Sequence, residues 1–115
     1  MITKGVDRCL FAFPPEEWAA FKANINANAD LSAKGRQLSR MFFSMAFEAS
    51  LDRQGRVLIP TKLARYASLS RNVTIAGVDD RLEIWDTGEW NRYLASADES
   101  FADIIEEFAG REFGV

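Results

Sequence analysis

The chain has no histidine and a single cysteine, Cys9, among its 115 residues. Without histidine it lacks the commonest general base, nucleophile activator and metal ligand. A lone cysteine forms no internal disulfide and offers no Cys-x-x-Cys zinc spacing. Catalysis would rest on carboxylates, lysines and tyrosines, and no glycine-rich phosphate loop or nucleophile pair accompanies them. No enzyme activity, metal or cofactor is therefore expected. Long hydrophobic runs are missing too. The longest uncharged apolar stretch near the middle is "MFFSMAF", seven residues, where a membrane span needs about 20. Pro14-Pro15, not a small-residue cleavage pattern, follows the apolar part of "MITKGVDRCLFAF". The sequence reads as having no signal peptide, hence cytoplasmic.

What is present suits a folded domain: 48% apolar and 12% aromatic residues. The net charge is -3, but it is unevenly spread. Residues 34–71 hold eight bases, Lys34, Arg36, Arg40, Arg53, Arg56, Lys62, Arg65 and Arg71, against Glu48 and Asp52, a local +6. The remainder is -9. For a polyanionic partner the local sign matters more than the sum. Solvated surface arginines account for the same pattern from charge alone.

An internal match organises the chain. "GVDRCLFAFPPEEW" (5–18) and "GVDDRLEIWDTGEW" (77–90) align without gaps at an offset of 72, with six identities in fourteen, among them Trp18/Trp90. Each copy reads as a Gly-Val-Asp bend, a short alternating strand and a helix start. Pro14-Pro15 opens the first helix, with Glu16 and Glu17 near its positive end. Asp86 followed three residues later by Glu89 is a capping-box-like start to the second. Trp18, Phe21 and Ile25 share one helical face, as do Trp90, Tyr93, Leu94 and Ala97.

Between the copies, residues 30–46 predict a helix with Leu31, Leu38, Met41, Phe42 and Met45 as its apolar stripe. "FEASLD" and "VLI" predict strands on either side of Asp52-Arg53-Gln54-Gly55-Arg56, where Gly55 permits the positive φ of a tight bend. A short helix from Pro60 would point Leu63, Tyr66 and Ala67 inward. "RNVTIAG" is a further strand, 98–109 a helix, and "GREFGV" a fraying end. Shifted by 72, the counterpart of the Asp52–Arg56 turn falls before Met1, so the reading expects a longer protein with its front missing. It divides the chain into an incomplete first unit, 1–46, and a complete second unit with the C-terminal helix, 47–115.

"VDRCLFAFPPEEW", "RMFFSMAFEASLDRQGRVLIPTKLARYASL" and "VTIAGVDDRLEIWDTGEWNRYL" resemble the MraZ family of bacterial transcription regulators, in order and spacing, up to about residue 108. The resemblance implies an α+β fold: a doubled AbrB-type (SpoVT/AbrB) swapped-hairpin β-barrel with peripheral helices, here with the first repeat N-terminally truncated. It implies a ring-shaped homo-oligomer that binds direct repeats of double-stranded DNA in the promoter of the division and cell-wall gene cluster and represses it from the nucleoid. The family carries an Asp-x-x-Gly-Arg turn once in each repeat. In this chain the second is intact at 52–56 and the first, a main DNA contact in the family, is absent.

A hairpin tip fits a major groove. Arg53 could pair with phosphate or bidentately with a guanine edge, and Gln54 suits adenine. Arg56 reaches phosphate or ties the turn to the barrel. Asp52 and Gly55 are structural: the carboxylate accepts turn N–H groups or holds Arg56, and the glycine keeps the tip slim. Lys62 and Arg65 on the following helix would add phosphate contacts. The alternative function is a non-catalytic oligomeric scaffold or antitoxin-like interaction module. Asp79, Asp80 and Glu83 cluster near the second bend, but Asp7 repeats Asp79, which points to turn geometry rather than catalysis.

Overall fold

The structure, a computed structural model, describes residues 1–109; the segment 110–115, expected to fray, lies outside the described residues. The elements in chain order are β1 (Ile2–Lys4), β2 (Leu10–Ala12), α1 (Pro15–Asn28), α2 (Ala33–Phe43), α3 (Thr61–Tyr66), β3 (Val73–Val78), β4 (Arg81–Asp86) and α4 (Thr87–Glu107). The fold is α+β. Its sheet has the order β1-β2-β4-β3, every neighbouring pair antiparallel.

The central pairing joins the two matching segments: Leu10 lies opposite Ile84, Phe11 opposite Glu83 and Ala12 opposite Leu82. Phe11 and Glu83 are 72 residues apart, the offset of the sequence match. Both bends turn on an aspartate in the left-handed region, Asp7 at φ 65° and Asp79 at φ 58°, a conformation that aspartate tolerates better than most residues.

Alternation along the strands sorts the core into two layers. On one face, Ile2, Leu10 and Ile84 pack with Leu63 and Ala67, and Met45, Phe47, Ala49, Val57 and Ile59 close over them. On the other face, Phe11, Phe13 and Trp85 meet Trp18 and Phe21 of α1, Phe42 of α2 and Trp90 of α4. Phe13 and Phe21 stack at 4.7 Å between centroids, and Phe21 meets Phe42 edge-on at 5.1 Å. Cys9 is enclosed here, its thiol donating to the Val6 carbonyl at 3.0 Å. Burial, with the nearby carboxylates of Glu83 and Asp7, pushes its pKa up to about 12. The thiolate is the reactive form, so native Cys9 is expected to resist alkylation at pH 8. Mass spectrometry after iodoacetamide treatment should find it modified only once the chain is unfolded in urea.

The first face is covered over half its width. Across the β3–β4 side, Leu82 is 48% and Ile75 53% exposed, although Leu10, the match of Leu82, is fully buried. A groove of about 760 Å³ runs there between Leu51 and Val57 on one side and Ile75 and Leu82 on the other.

Two expectations need correcting in detail. The segments flanking the Asp52–Arg56 turn form no ladder; their one strand contact among the described residues is the Ile2–Phe47 bridge. A two-stranded ribbon is marginal alone, and only Phe47 reaches a neighbouring strand. The helix expected over 30–46 is shorter, Ala33–Phe43. Asp30 Oδ1 accepts the Ser32 N–H and Ser32 Oγ caps the helix through the Gly35 N–H. A side chain at Gly35 would sit 2.2 Å from the Asp30 carbonyl oxygen, so the start is pinned by glycine. Of the expected stripe, Phe42 and Met45 pack inward while Leu31, Leu38 and Met41 are exposed.

Candidate nucleic-acid interface

The Asp52–Arg56 turn is closed by two backbone bonds, Asp52 N–H to the Arg56 carbonyl at 2.8 Å and Gly55 N–H to the Asp52 carbonyl at 3.0 Å. Gly55 has φ 75°. This is a three-residue loop whose last position is left-handed, the geometry that favours glycine. One carboxylate organises the rest. Asp52 Oδ1 accepts the N–H of Gln54 at 2.8 Å and of Arg56 at 2.9 Å, and Oδ2 accepts Arg56 Nε at 3.0 Å.

The Arg56 N–H, then that of Gln54 and the guanidinium, hold the Asp52 carboxyl below the usual carboxylate range. A depressed folded pKa means that the turn gains stability above the ordinary value of about 3.9 and loses it as pH falls through the folded value. The amide signals of Gln54 and Arg56 are therefore expected to titrate together with a midpoint below about 3.9 in an NMR pH series. Asp52→Asn should remove that titration.

The tip is open to solvent. Arg53, Gln54 and Arg56 are all exposed, and the Arg56 side chain retains 73% of its surface despite its ion pair. Arg53 carries no ion pair among the described residues. The same covalent stretch continues through Pro60, the N-cap of α3, to Lys62 and Arg65, both exposed on the side of α3 away from Leu63 and Ala67. Turn and α3 thus belong to one basic stretch of chain, whose Val57, Ile59, Leu63 and Ala67 pack on the first sheet face.

Two further cations gather at α3, neither predictable from local pattern. Lys4 Nζ lies 4.7 Å and the Arg8 guanidinium 5.8 Å from the centre of the Tyr66 ring on α3. Tyr66 is itself fixed by donating its hydroxyl to the Gly5 carbonyl at 2.6 Å. Sixty-one residues separate that pair, so no local pattern announces it. Lys34, Arg36 and Arg40 are not part of this stretch. They lie on α2, which packs along β1. α3 packs on β1 as well, and Lys4 lies between the two helices, its Nζ 3.7 Å from Met41 Sδ on α2 and 4.7 Å from the Tyr66 ring on α3.

Asp79, Asp80 and Glu83 are absorbed structurally. Asp80 and Glu83 both hold Arg81, at 3.2 and 3.0 Å, and Glu83 Oε1 accepts the Trp85 indole N–H. No helix among the described residues is long and apolar enough to cross a membrane. The family model described as "MraZ protein, putative antitoxin-like" matches residues 42–112, a span that takes in the turn, α3, β3, β4 and α4. The chain belongs to the MraZ family.

Proposed function

We propose that this chain is a non-catalytic, DNA-binding transcriptional regulator that grips double-stranded DNA through the Asp52–Arg56 turn. The observation that carries the reading is a solvent-exposed tip with Arg53 unpaired, on a loop that Asp52 holds rigid. Arg53 and Gln54 reach base edges, and Arg56, Lys62 and Arg65 take phosphates. One tip neutralises few phosphates, so several tips must act together. Linked copies raise the effective concentration of each further tip, which favours direct repeats over a single element. In this reading the chain is a homo-oligomeric repressor, nucleoid-associated in the cytoplasm, acting at promoter repeats of the division and cell-wall cluster. Residues 1–46 and 47–115 are two units of a doubled swapped-hairpin barrel. The pairing of Phe11 with Glu83 and the left-handed Asp7 and Asp79 support that symmetry.

Mobility shift with duplexes of one, two and four direct repeats tests the proposal. Retardation should strengthen with repeat number, and log K should fall with log salt at about 0.9 per neutralised phosphate. Equal mobility with and without protein at low salt would sink it. The half-bare sheet face favours a second reading, an oligomeric scaffold or antitoxin-like module that seats a partner segment between Leu51 and Leu82. That reading predicts no repeat dependence.

A further inference from the structure

Two helices carry exposed apolar stripes of matching length and opposite charge. α4 is 21 residues long. Its first turns are anchored where the rings of Trp90 and Tyr93 pack, tilted, against Trp85 at 5.2 and 5.0 Å between centroids. Further along, Phe101 is 62% and Ile104 42% exposed. The flanking charges there are Asp98, Glu99, Asp103, Glu106 and Glu107, with no base between 98 and 107. α2 is the converse. Leu38 is 40% and Met41 42% exposed, Leu31 beside its cap 87%, and its charges are Lys34, Arg36 and Arg40 with no acid. None of these eight charges has an ion-pair partner among the described residues. Both segments are about 15 Å long at the helical rise.

Within one chain the stripes serve different edges of the sheet. α2 packs on β1, and α4 on β3 and β4, with β1 and β3 the two outermost strands. We propose that the distal half of α4 in one copy packs against α2 of the next, Phe101 and Ile104 meeting Leu38 and Met41 inside a frame of opposite charges. DNA would satisfy the α2 cations but leave Leu38 and Met41 wet against phosphate. A second copy supplies both the apolar and the ionic complement. Two different surfaces at opposite edges form a heterologous contact, which closes as a ring or runs on as a filament. The inference rests on the oligomer in the functional proposal and identifies its interface.

Charge reversal with rescue tests it, by light scattering after size exclusion at low salt. One variant carries Lys34→Glu, Arg36→Glu and Arg40→Glu; the other carries Glu99→Lys, Asp103→Lys and Glu106→Lys. All six positions are exposed, so circular dichroism should stay unchanged. Each variant alone is expected at the monomer mass, 12.9 kDa. An equimolar mixture, or one chain with all six changes, should regain the wild-type mass. If the wild type is large and either variant keeps that mass, the interface is wrong while the oligomer stands. Loss of DNA retardation by the α2 variant at unchanged mass would likewise overturn the inference, giving α2 to DNA. A wild type that runs as a monomer at 100 times the DNA-binding concentration would overturn both.

Discussion

Leu10→Ala is expected to destabilise the protein by about 2–5 kcal/mol, whereas Leu82→Ala costs less than about 1 kcal/mol. The two leucines occupy matching positions of the repeated segment and face the same side of the sheet, on strands that pair with each other. Sequence alone makes them equivalent. Their surroundings do not. Leu10 is fully buried under Leu63, Ala67 and the side chains of Met45, Phe47, Ala49, Val57 and Ile59, so truncation leaves a cavity that its neighbours cannot refill. Leu82 is 48% exposed at the lip of the groove, and truncation there leaves only a shallower groove. Domains of this size are stable by about 5–15 kcal/mol, so Leu10→Ala removes a large share. With a urea slope of about 2 kcal/mol/M, the midpoint should fall by roughly 1–2.5 M for Leu10→Ala and by less than about 0.5 M for Leu82→Ala. Similar losses at the two sites would mean that the β3–β4 half of the face is covered in solution. Concentration dependence of the Leu82→Ala midpoint would then separate cover by another copy from cover within the chain.

Residues that act through their nearest neighbours were legible in the sequence. Asp86 with Glu89 was readable as a helix start, and Asp86 Oδ2 does accept the Glu89 N–H at 3.2 Å. Its second partner, Ser70, sixteen residues away, could not be read, because only the turn of the chain between α3 and β3 brings them together. The same divide runs through the basic stretch. Gly55 and Asp52 are recognisable as turn chemistry at close spacing. The gathering of Lys4 and Arg8 around Tyr66 depends on the β1 edge meeting α3. Periodicity also identified the stripe on α2 but not what it faces: a 3.6-residue repeat says that one side is apolar, not that the partner is in the same chain. The alternation in "FEASLD" failed differently. Its apolar positions Phe47 and Ala49 do pack inward, but Leu51, next in the alternation, is 70% exposed. A ladder also needs a neighbouring backbone, and that is found only at Phe47.

Arg53→Ala is expected to weaken binding to repeat DNA by about 5- to 150-fold per engaged tip, the worth of one good bidentate base contact at about 1–3 kcal/mol. Arg56→Ala should do less. Its guanidinium already shares charge with Asp52 at 3.0 Å, so removing it takes away a partly neutralised cation and a brace of the loop. Arg53 has no such partner and loses only water when it meets DNA. Arg53→Lys separates the two ways in which Arg53 can act. A lysine restores most of the affinity if the contact is to phosphate, because a point charge suffices there. It restores little if the planar fork reads a guanine edge. The salt slope gives the same answer independently: it drops by about 1 for a lost phosphate contact and stays nearly unchanged for a lost base contact. Equal losses from Arg53→Ala and Arg56→Ala would imply that DNA draws Arg56 away from Asp52. In that case Asp52→Asn should strengthen binding at low salt, because it frees the guanidinium before the encounter.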